Sequence, residues 1–336
     1  MSAYMTGLGT YVPAGRMSAA QIAVASGLPE GVVRDKLGIQ RKAVPGPEDH
    51  TNAMGVRAAQ AALADAKLAA DAIDVVISIN EEHKDYPVWT SGIKLAHDLG
   101  AMRAWAFDIG QKCGTGVLGL KLARDLIVAD SAVNTVLVAG GYRNVDLIDY
   151  RDPAVRFMYN LGAGGGAAVV QRGAGVRGGH EILSSRFITD GSFSLDVLVP
   201  VGGTRAPLTT ENLHDYRLQV ADPEGMRARL AHKSLDNFTA VVREAVRDAG
   251  AALSDIAYLA MLHMKPSAHQ EVLRRLGLPA ARSIYLSDYG HLGQVDQFLS
   301  LQLARDQGRL KSGDLVVLVA AGVGYVWNAL CLRWRG

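Results

Sequence analysis

The segment AWAFDIGQKCGTGVLGLKLARD, Ala104–Asp125, decides how the whole chain is read. Its opening AWAFDI predicts a strand over Ala104–Ile109. A short polar turn, a cysteine and a glycine-rich helix start follow, and the apolar spacing predicts a helix over Gly114–Ala129. Its end recurs: LKLARD at Leu120–Asp125 is matched by LQLARD at Leu301–Asp306, 181 residues later. The same shift of 181 lays VLVAG (Val136–Gly140) within one residue of VLVAAG (Val317–Gly322). A six-residue match alone is weak in Ala/Leu-rich helices, but the order of elements on both sides repeats as well.

Working outward, strands are predicted at Tyr4–Tyr11, Asp74–Ile79, Thr135–Ala139 and Gly164–Val170, and helices at Ser18–Ser26, Asn52–Lys67 and Trp89–Leu99. The second half predicts helices at Ala228–Ala249, Ala268–Leu276 and Val295–Gln307. Its strands are expected at Ile256–Leu262, Ser283–Ser287 and Leu315–Val319, with Tyr325–Arg333 closing the chain. Two similar α/β halves, 1–172 and 173–336, are expected to meet near the Gly-rich Gln171–Gly179. Asp190–Glu224 is the least regular stretch, and excursions of that length are usually functional covers.

The chain has 336 residues, 49% hydrophobic and 20% charged, with 35 Lys+Arg against 33 Asp+Glu. The net charge of +2 supplies no broad field for nucleic acid or membrane. No run approaches the ~18 apolar residues of a membrane span. The opening MSAYMTGLGTYVP lacks the pattern of a signal peptide. Two cysteines, Cys113 and Cys331, form no disulfide framework and no zinc cluster, so a cytoplasmic protein without a metal site is expected.

Cys113 is placed at or near a helix N-terminus, where free N–H groups and the macrodipole favour a thiolate nucleophile. Cys331, in NALCLRW, reads as packing. His263 and His291 each follow a predicted strand, where α/β sheets build their sites. The repeat carries Glu82 onto His263 and Cys113 to within three residues of His291, so these residues occupy one type of location. Of the other histidines, only His83, beside Glu81 and Glu82, is a minor candidate. Leu161–Val170 (LGAGGGAAVV) has no P-loop lysine, and no GxGxxG opens the chain. Backbone N–H groups of AGVGYVW, Ala321–Trp327, suit an oxyanion hole or, equally, close packing.

In order and spacing these segments resemble the thiolase superfamily, specifically the β-ketoacyl-acyl-carrier-protein synthase III type. The resemblance rests on GLGTYVP (Gly7–Pro13), KLGIQRKAV (Lys36–Val44), AFDIGQKCGTGVLGL (Ala106–Leu120) and DGSFSLDVLVP (Asp190–Pro200). It continues through LHMKP (Leu262–Pro266), YGHLGQ (Tyr289–Gln294) and GVGYVWNAL (Gly322–Leu330). It implies duplicated βαβαβαββ halves in a layered αβαβα sandwich. It also implies a cytoplasmic homodimer with no cofactor, taking acyl-CoA or acyl-carrier protein and a malonyl thioester as substrates. Cys113 would take the acyl group, with oxyanion donors at the Cys113 and Val323 amides. His263 and His291 would assist decarboxylation, and Lys36, Tyr86 and Arg156 would bind substrate. His291 stands where initiating synthases have asparagine, so the set resembles Cys-His-His elongating synthases. Lys42 stands at the arginine position of the family's G-I-x-x-R segment; Val32 and Lys36 replace a tryptophan and an arginine, and HMKPSAHQ (His263–Gln270) lacks the arginine that usually follows the histidine, which points to altered coenzyme A recognition and to specialised metabolism.

Three alternatives stay open. One is an aldol condensation like that of hydroxymethylglutaryl-coenzyme A synthases, with Glu82 as base. Another is acyl transfer to a hydroxyl or amine without decarboxylation. The third is a non-catalytic partner subunit, against which Cys113 itself argues.

Overall fold

A computed structural model describes residues 2–173 and 179–335. The chain runs β1 (Ala3–Tyr11), β2 (Gly15–Ser18), α1 (Ala19–Ser26), β3 (Arg41–Val44), α2 (Thr51–Ala66), β4 (Val75–Ser78), α3 (Ser91–Leu99), β5 (Trp105–Asp108), α4 (Thr115–Ala129), β6 (Thr135–Tyr142) and β7 (Gly164–Arg172). It continues with β8 (His180–Thr189), β9 (Val197–Leu198), β10 (Gln219–Val220), α5 (Pro223–Asp248), β11 (Ile256–Met261), α6 (Pro266–Leu276), α7 (Asp296–Asp306), β12 (Leu315–Gly322) and β13 (Val326–Arg333). The expected junction at Gln171–Gly179 lies largely outside the described residues.

The repeat is visible in the strand pairing. The main sheet has the order β11-β12-β13-β8-β1-β7-β6-β4-β5. In the first half β1 pairs antiparallel with β7, β7 antiparallel with β6, and β6 parallel with β4. In the second half β8 pairs antiparallel with β13, β13 antiparallel with β12, and β12 parallel with β11. Among the described residues the halves join through β1 and β8 at two residue pairs, Tyr4 with Glu181 and Met5 with His180.

Alternation along the strands sorts the core into layers. Val136, Val138, Val316 and Leu318 share one cluster with Leu120 and Ala123 of α4 and Phe298 and Leu301 of α7. Leu137 and Ala139 turn the other way, onto Ala58 and Ala62 of α2 and Leu95 of α3. Val317 and Val319 meet Val241 and Val242 of α5 and Val272 and Leu273 of α6. So α4 and α7 lie between the strands of both halves, with α2/α3 and α5/α6 outside, the expected αβαβα order. Strands covered on both faces need apolar residues at every position, as VVIS and LVVLVAAG show.

Two details differ from expectation. Ser283–Ser287 forms no strand, so the second half has no counterpart of the edge strand β5. β8, unanticipated in the sequence, is the second half's counterpart of β1. Asp190–Glu224 carries only the short β9/β10 pair and helical turns before α5 begins. That helix starts where Asp222 Oδ1 accepts from the Gly225 amide at 2.9 Å, with Pro223 inside the first turn.

Candidate active site

α4 and α7 both begin at the floor of one cavity of about 950 Å³. They approach closely because Gly116 lacks a side chain: a Cβ there would sit 2.4 Å from the Gln294 carbonyl oxygen. Gln294 Nε2 in turn donates to the carbonyls of Ile79 and Gly141, fixing the α7 entrance against β4 and β6. Cys113 sits in the tight turn Lys112–Gly114 just before α4. Lys112 holds a left-handed φ of 51°, an unfavourable conformation for a lysine that the turn enforces. Thr115 Oγ1 accepts from the Gln111 amide at 2.8 Å and donates to the Lys112 carbonyl at 2.6 Å, closing that turn.

The sulfur faces His291. Their Sγ and Nε2 atoms are 3.0 Å apart, and His291 Nδ1 lies 2.6 Å from Asp296 Oδ2. Asp296 is fully buried and also accepts from the backbone amides of His263 and Leu292, each at 2.7 Å. Cys113, His291 and Asp296 thus form a linked chain. Burial pushes the Cys113 thiol up, and His291 pulls it back. Burial would lower His291, but the charges and hydrogen bonds of Cys113 and Asp296 hold it well above the usual imidazole value. Asp296 therefore favours the shared proton on His291.

His263 lines the cavity, and both of its ring nitrogens have partners. Asn160 Nδ2 donates to Nδ1 at 2.8 Å, which leaves Nε2–H to donate to the Gly38 carbonyl at 3.1 Å. Burial lowers the imidazole to about 4, so it is neutral with both nitrogens occupied. Asp296 was missed in the sequence, although it lies at the repeat position of Thr115.

Glu82 lines the same cavity. Its side chain is 72% exposed and ion-paired with Lys112. Burial would raise its carboxyl, but Lys112 holds it below the usual value. The buried carboxyl on the cavity wall belongs to Glu81. The end of β12 lies against the nucleophile turn: a side chain at Gly322 would meet the Cys113 amide nitrogen at 3.1 Å. Val323, next in sequence, lines the cavity, as does Arg156. Lys36 and Tyr86 are both exposed and lie outside the cavity lining. Cys331 is buried in β13, facing the α5 layer, with its thiol pushed by burial to about 12.

Away from the nucleophile the cavity wall is apolar, with Leu147, Phe157, Val197, Met226, Leu230 and Phe238. Ser194, Val197, Leu198 and Tyr216, from the irregular Asp190–Glu224 stretch, are among the lining residues. Arg156, Arg227 and Lys265 also line it, and among the described residues no carboxylate is recorded in an ion pair with them. Among the described residues no cluster of three or more His, Cys, Asp or Glu is placed to hold a metal ion. Among the same residues no helix is long and apolar enough to cross a membrane.

Two family models match: 3-oxoacyl-[acyl-carrier-protein (ACP)] synthase III over residues 107–191, and its C-terminal counterpart over residues 246–334. A β-ketoacyl-[acyl-carrier-protein] synthase III of Roseiflexus sp. (strain RS-1) is 30% identical over 334 residues, covering 99% of this chain and 98% of that one. The enzyme of the same description from Symbiobacterium thermophilum is 29% identical, covering 98% and 97%. The crystal structure of 3-oxoacyl-(acyl carrier protein) synthase III from Pseudomonas aeruginosa PAO1 superposes with a TM-score of 0.86 at 23% identity, over 100% of this chain and 99% of that one. With the nucleophile turn inside the first matched segment and both site histidines inside the second, the chain belongs to the 3-oxoacyl-[acyl-carrier-protein] synthase III family of condensing acyltransferases.

Proposed function

We propose that Cys113 is the acyl-carrying nucleophile of this condensing enzyme and that His291, held by Asp296, handles its proton. The observation that supports this reading is the chain from Sγ through His291 to Asp296. Cys113 thiolate attacks the thioester carbonyl, the carbon–sulfur bond of the donor breaks, and His291 returns the proton to the departing thiolate. The Cys113 and Val323 amides would receive the oxyanion. A malonyl thioester then loses carbon dioxide, and its enolate attacks the acyl carbonyl while Cys113 leaves. After His291 takes up a proton from solvent, its imidazolium, stabilised by Asp296, would donate to the enolate oxygen. His263 would act indirectly, by fixing the Gly38 turn.

The chemistry runs on side chains and thioester substrates, without a resident cofactor. The apolar wall favours medium or long acyl chains over acetyl, and the cavity is at the upper end of the small-molecule range. Arg156, Arg227 and Lys265 are the proposed contacts for the phosphates of coenzyme A or of a carrier protein's phosphopantetheine arm. Lys36 and Tyr86 would contact substrate only outside the cavity. A homodimer through the β5 edge is proposed because Trp105, Val88 and Met102 leave apolar surface exposed there. The two free cysteines suit a reducing cytoplasm. Incubation with acetyl-, octanoyl- or dodecanoyl-CoA plus a malonyl thioester tests the substrate reading. Octanoyl or dodecanoyl product with carbon dioxide release is expected; activity confined to acetyl-CoA would contradict it.

A further inference from the structure

Lys42, on β3, is fully buried, an uncommon place for an ammonium group. Among the described residues no carboxylate pairs with it, and its Nζ donates to the Leu161 carbonyl at 2.6 Å. The ammonium also lies over the Tyr150 ring, 4.9 Å from its centre. A charge buried with so few partners costs stability. What it holds is the turn 160–162, and that turn touches both site histidines. The Asn160 carbonyl accepts from the His291 amide at 2.8 Å, and the His291 carbonyl accepts from the Gly162 amide at 2.8 Å. Asn160 Nδ2 donates to His263 Nδ1. The stretch after His291's strand-like bridge is held from the same side: the Ala43 amide donates to the Tyr289 carbonyl at 2.9 Å. A Cβ at Gly290 would sit 2.7 Å from Lys42 Cβ, so the contact is tight.

We infer that Lys42 is a positioning residue: its ammonium clamps the turn 160–162 and so sets His291 against Cys113, and loss of its proton loosens that contact. This inference rests on the reading of His291 as the partner of the Cys113 proton. A protonated Nζ gives the Leu161 carbonyl a charge-assisted hydrogen bond, about twice as strong as a neutral amine would give. Burial lowers the ammonium to about 7, so the proton is exchanged near neutral pH. The other titratable groups on the elements packed around Lys42 are accounted for. Tyr150 and Tyr159 are phenols that burial pushes up, so both stay neutral there. Asp149 pairs with Arg151 and Arg217, Asp152 accepts from the Ala154 amide, and Asp288 pairs with Arg41. His291 itself is held by Asp296.

The test is the rate of Cys113 alkylation by iodoacetamide between about pH 6 and pH 8.5, located by peptide mass, for wild type, Lys42→Arg and Lys42→Met. Arginine keeps its charge across this range and methionine has none. The wild-type rate is expected to fall by about tenfold as Lys42 loses its proton, because sulfur then loses its imidazolium partner. Folded Lys42→Arg is expected to keep the fast rate throughout, and folded Lys42→Met to be slow by about tenfold already at pH 6. A general loss of stability would not produce rescue by arginine, and melting temperatures are recorded for each protein. Identical pH profiles for wild type and Lys42→Arg overturn the inference, as does Lys42→Met within threefold of wild type at pH 6. If neither variant folds, a wild-type rate that does not fall over this range overturns it. Alkylation reads the thiolate whether or not Cys113 carries acyl groups, so an octanoyl adduct scored separately on the same proteins distinguishes failure of the acyl-enzyme reading.

Discussion

Replacing Asp296 by asparagine tests the role of the His291 partner. Asn occupies nearly the same volume and its amide oxygen can still accept the His291 Nδ1–H and the His263 amide, but its NH2 then faces the Leu292 amide, so one backbone hydrogen bond is lost with the charge. Asp296 Oδ2 lies 2.6 Å from Nδ1 and the pair is buried, so solvent screens it little. Unit charges with centres about 4 Å apart at an effective dielectric of about 20 interact by about 4 kcal/mol. That is about three powers of ten in the equilibrium between thiol–imidazole and thiolate–imidazolium. The retained hydrogen bond offsets part of this, so the acylation rate at neutral pH is expected to fall by about 10²- to 10³-fold. The assay is single-turnover acylation by octanoyl-CoA, followed by intact mass, with the pH dependence of Cys113 alkylation recorded in parallel. The alkylation profile of the variant is expected to move toward higher pH, because sulfur loses its imidazolium partner. An Asp296→Asn protein acylating within threefold of wild type would refute the electrostatic argument.

Other perturbations follow from the same geometry. Leu230→Trp intrudes on the apolar wall and is expected to shorten the preferred acyl chain, read from a chain-length panel by adduct mass on Cys113. Gly116→Ala places a Cβ 2.4 Å from the Gln294 carbonyl oxygen and is expected to cost about 1–3 kcal/mol in denaturant unfolding. Trp105→Arg puts a charge on the exposed β5 edge and is expected to shift the protein from dimer to monomer in light scattering. Acid stability has a definite sign. Burial lowers His180, His263 and His269 from 6.5 to about 4, so the unfolded chain binds more protons between those values. Stability from these groups is complete above pH 6.5 and is lost as pH falls toward 4, at up to about 1.4 kcal/mol per pH unit for each histidine. Urea unfolding across that range measures the slope, which His180→Gln should reduce.

The placement of Cys113 before a central helix and the layer order were legible because each is written locally. Cys113 lies between a strand and a glycine-rich helix start, and the 181-residue repeat brings α7 and His291 into register with α4 and Cys113. Asp296 was not singled out, because an acidic residue in the first turn of a helix looks like ordinary dipole complementation. The repeat register was the signal that could have found it. Glu81 and Glu82 are adjacent in the loop that follows β4. Nothing in the pair alone says which is buried; the Lys112 ion pair and Asn144 decide it. The direction of the His263 ring depends on Asn160 and the Gly38 carbonyl, 103 and 225 residues away in sequence. Local pattern carries no trace of such partners. Ser283–Ser287 has strand-like composition but no ladder partner, and pairing is a property of the sheet rather than of the segment.

The central claim is that the acyl group is carried on Cys113. Peptide mass mapping after brief incubation with octanoyl-CoA tests it most directly, because the chain contains only one other cysteine. The account predicts one octanoyl increment on the peptide containing Cys113 and none on the peptide containing Cys331, whose buried thiol is pushed up to about 12. An unmodified Cys113, or an adduct found on Cys331 instead, would contradict it.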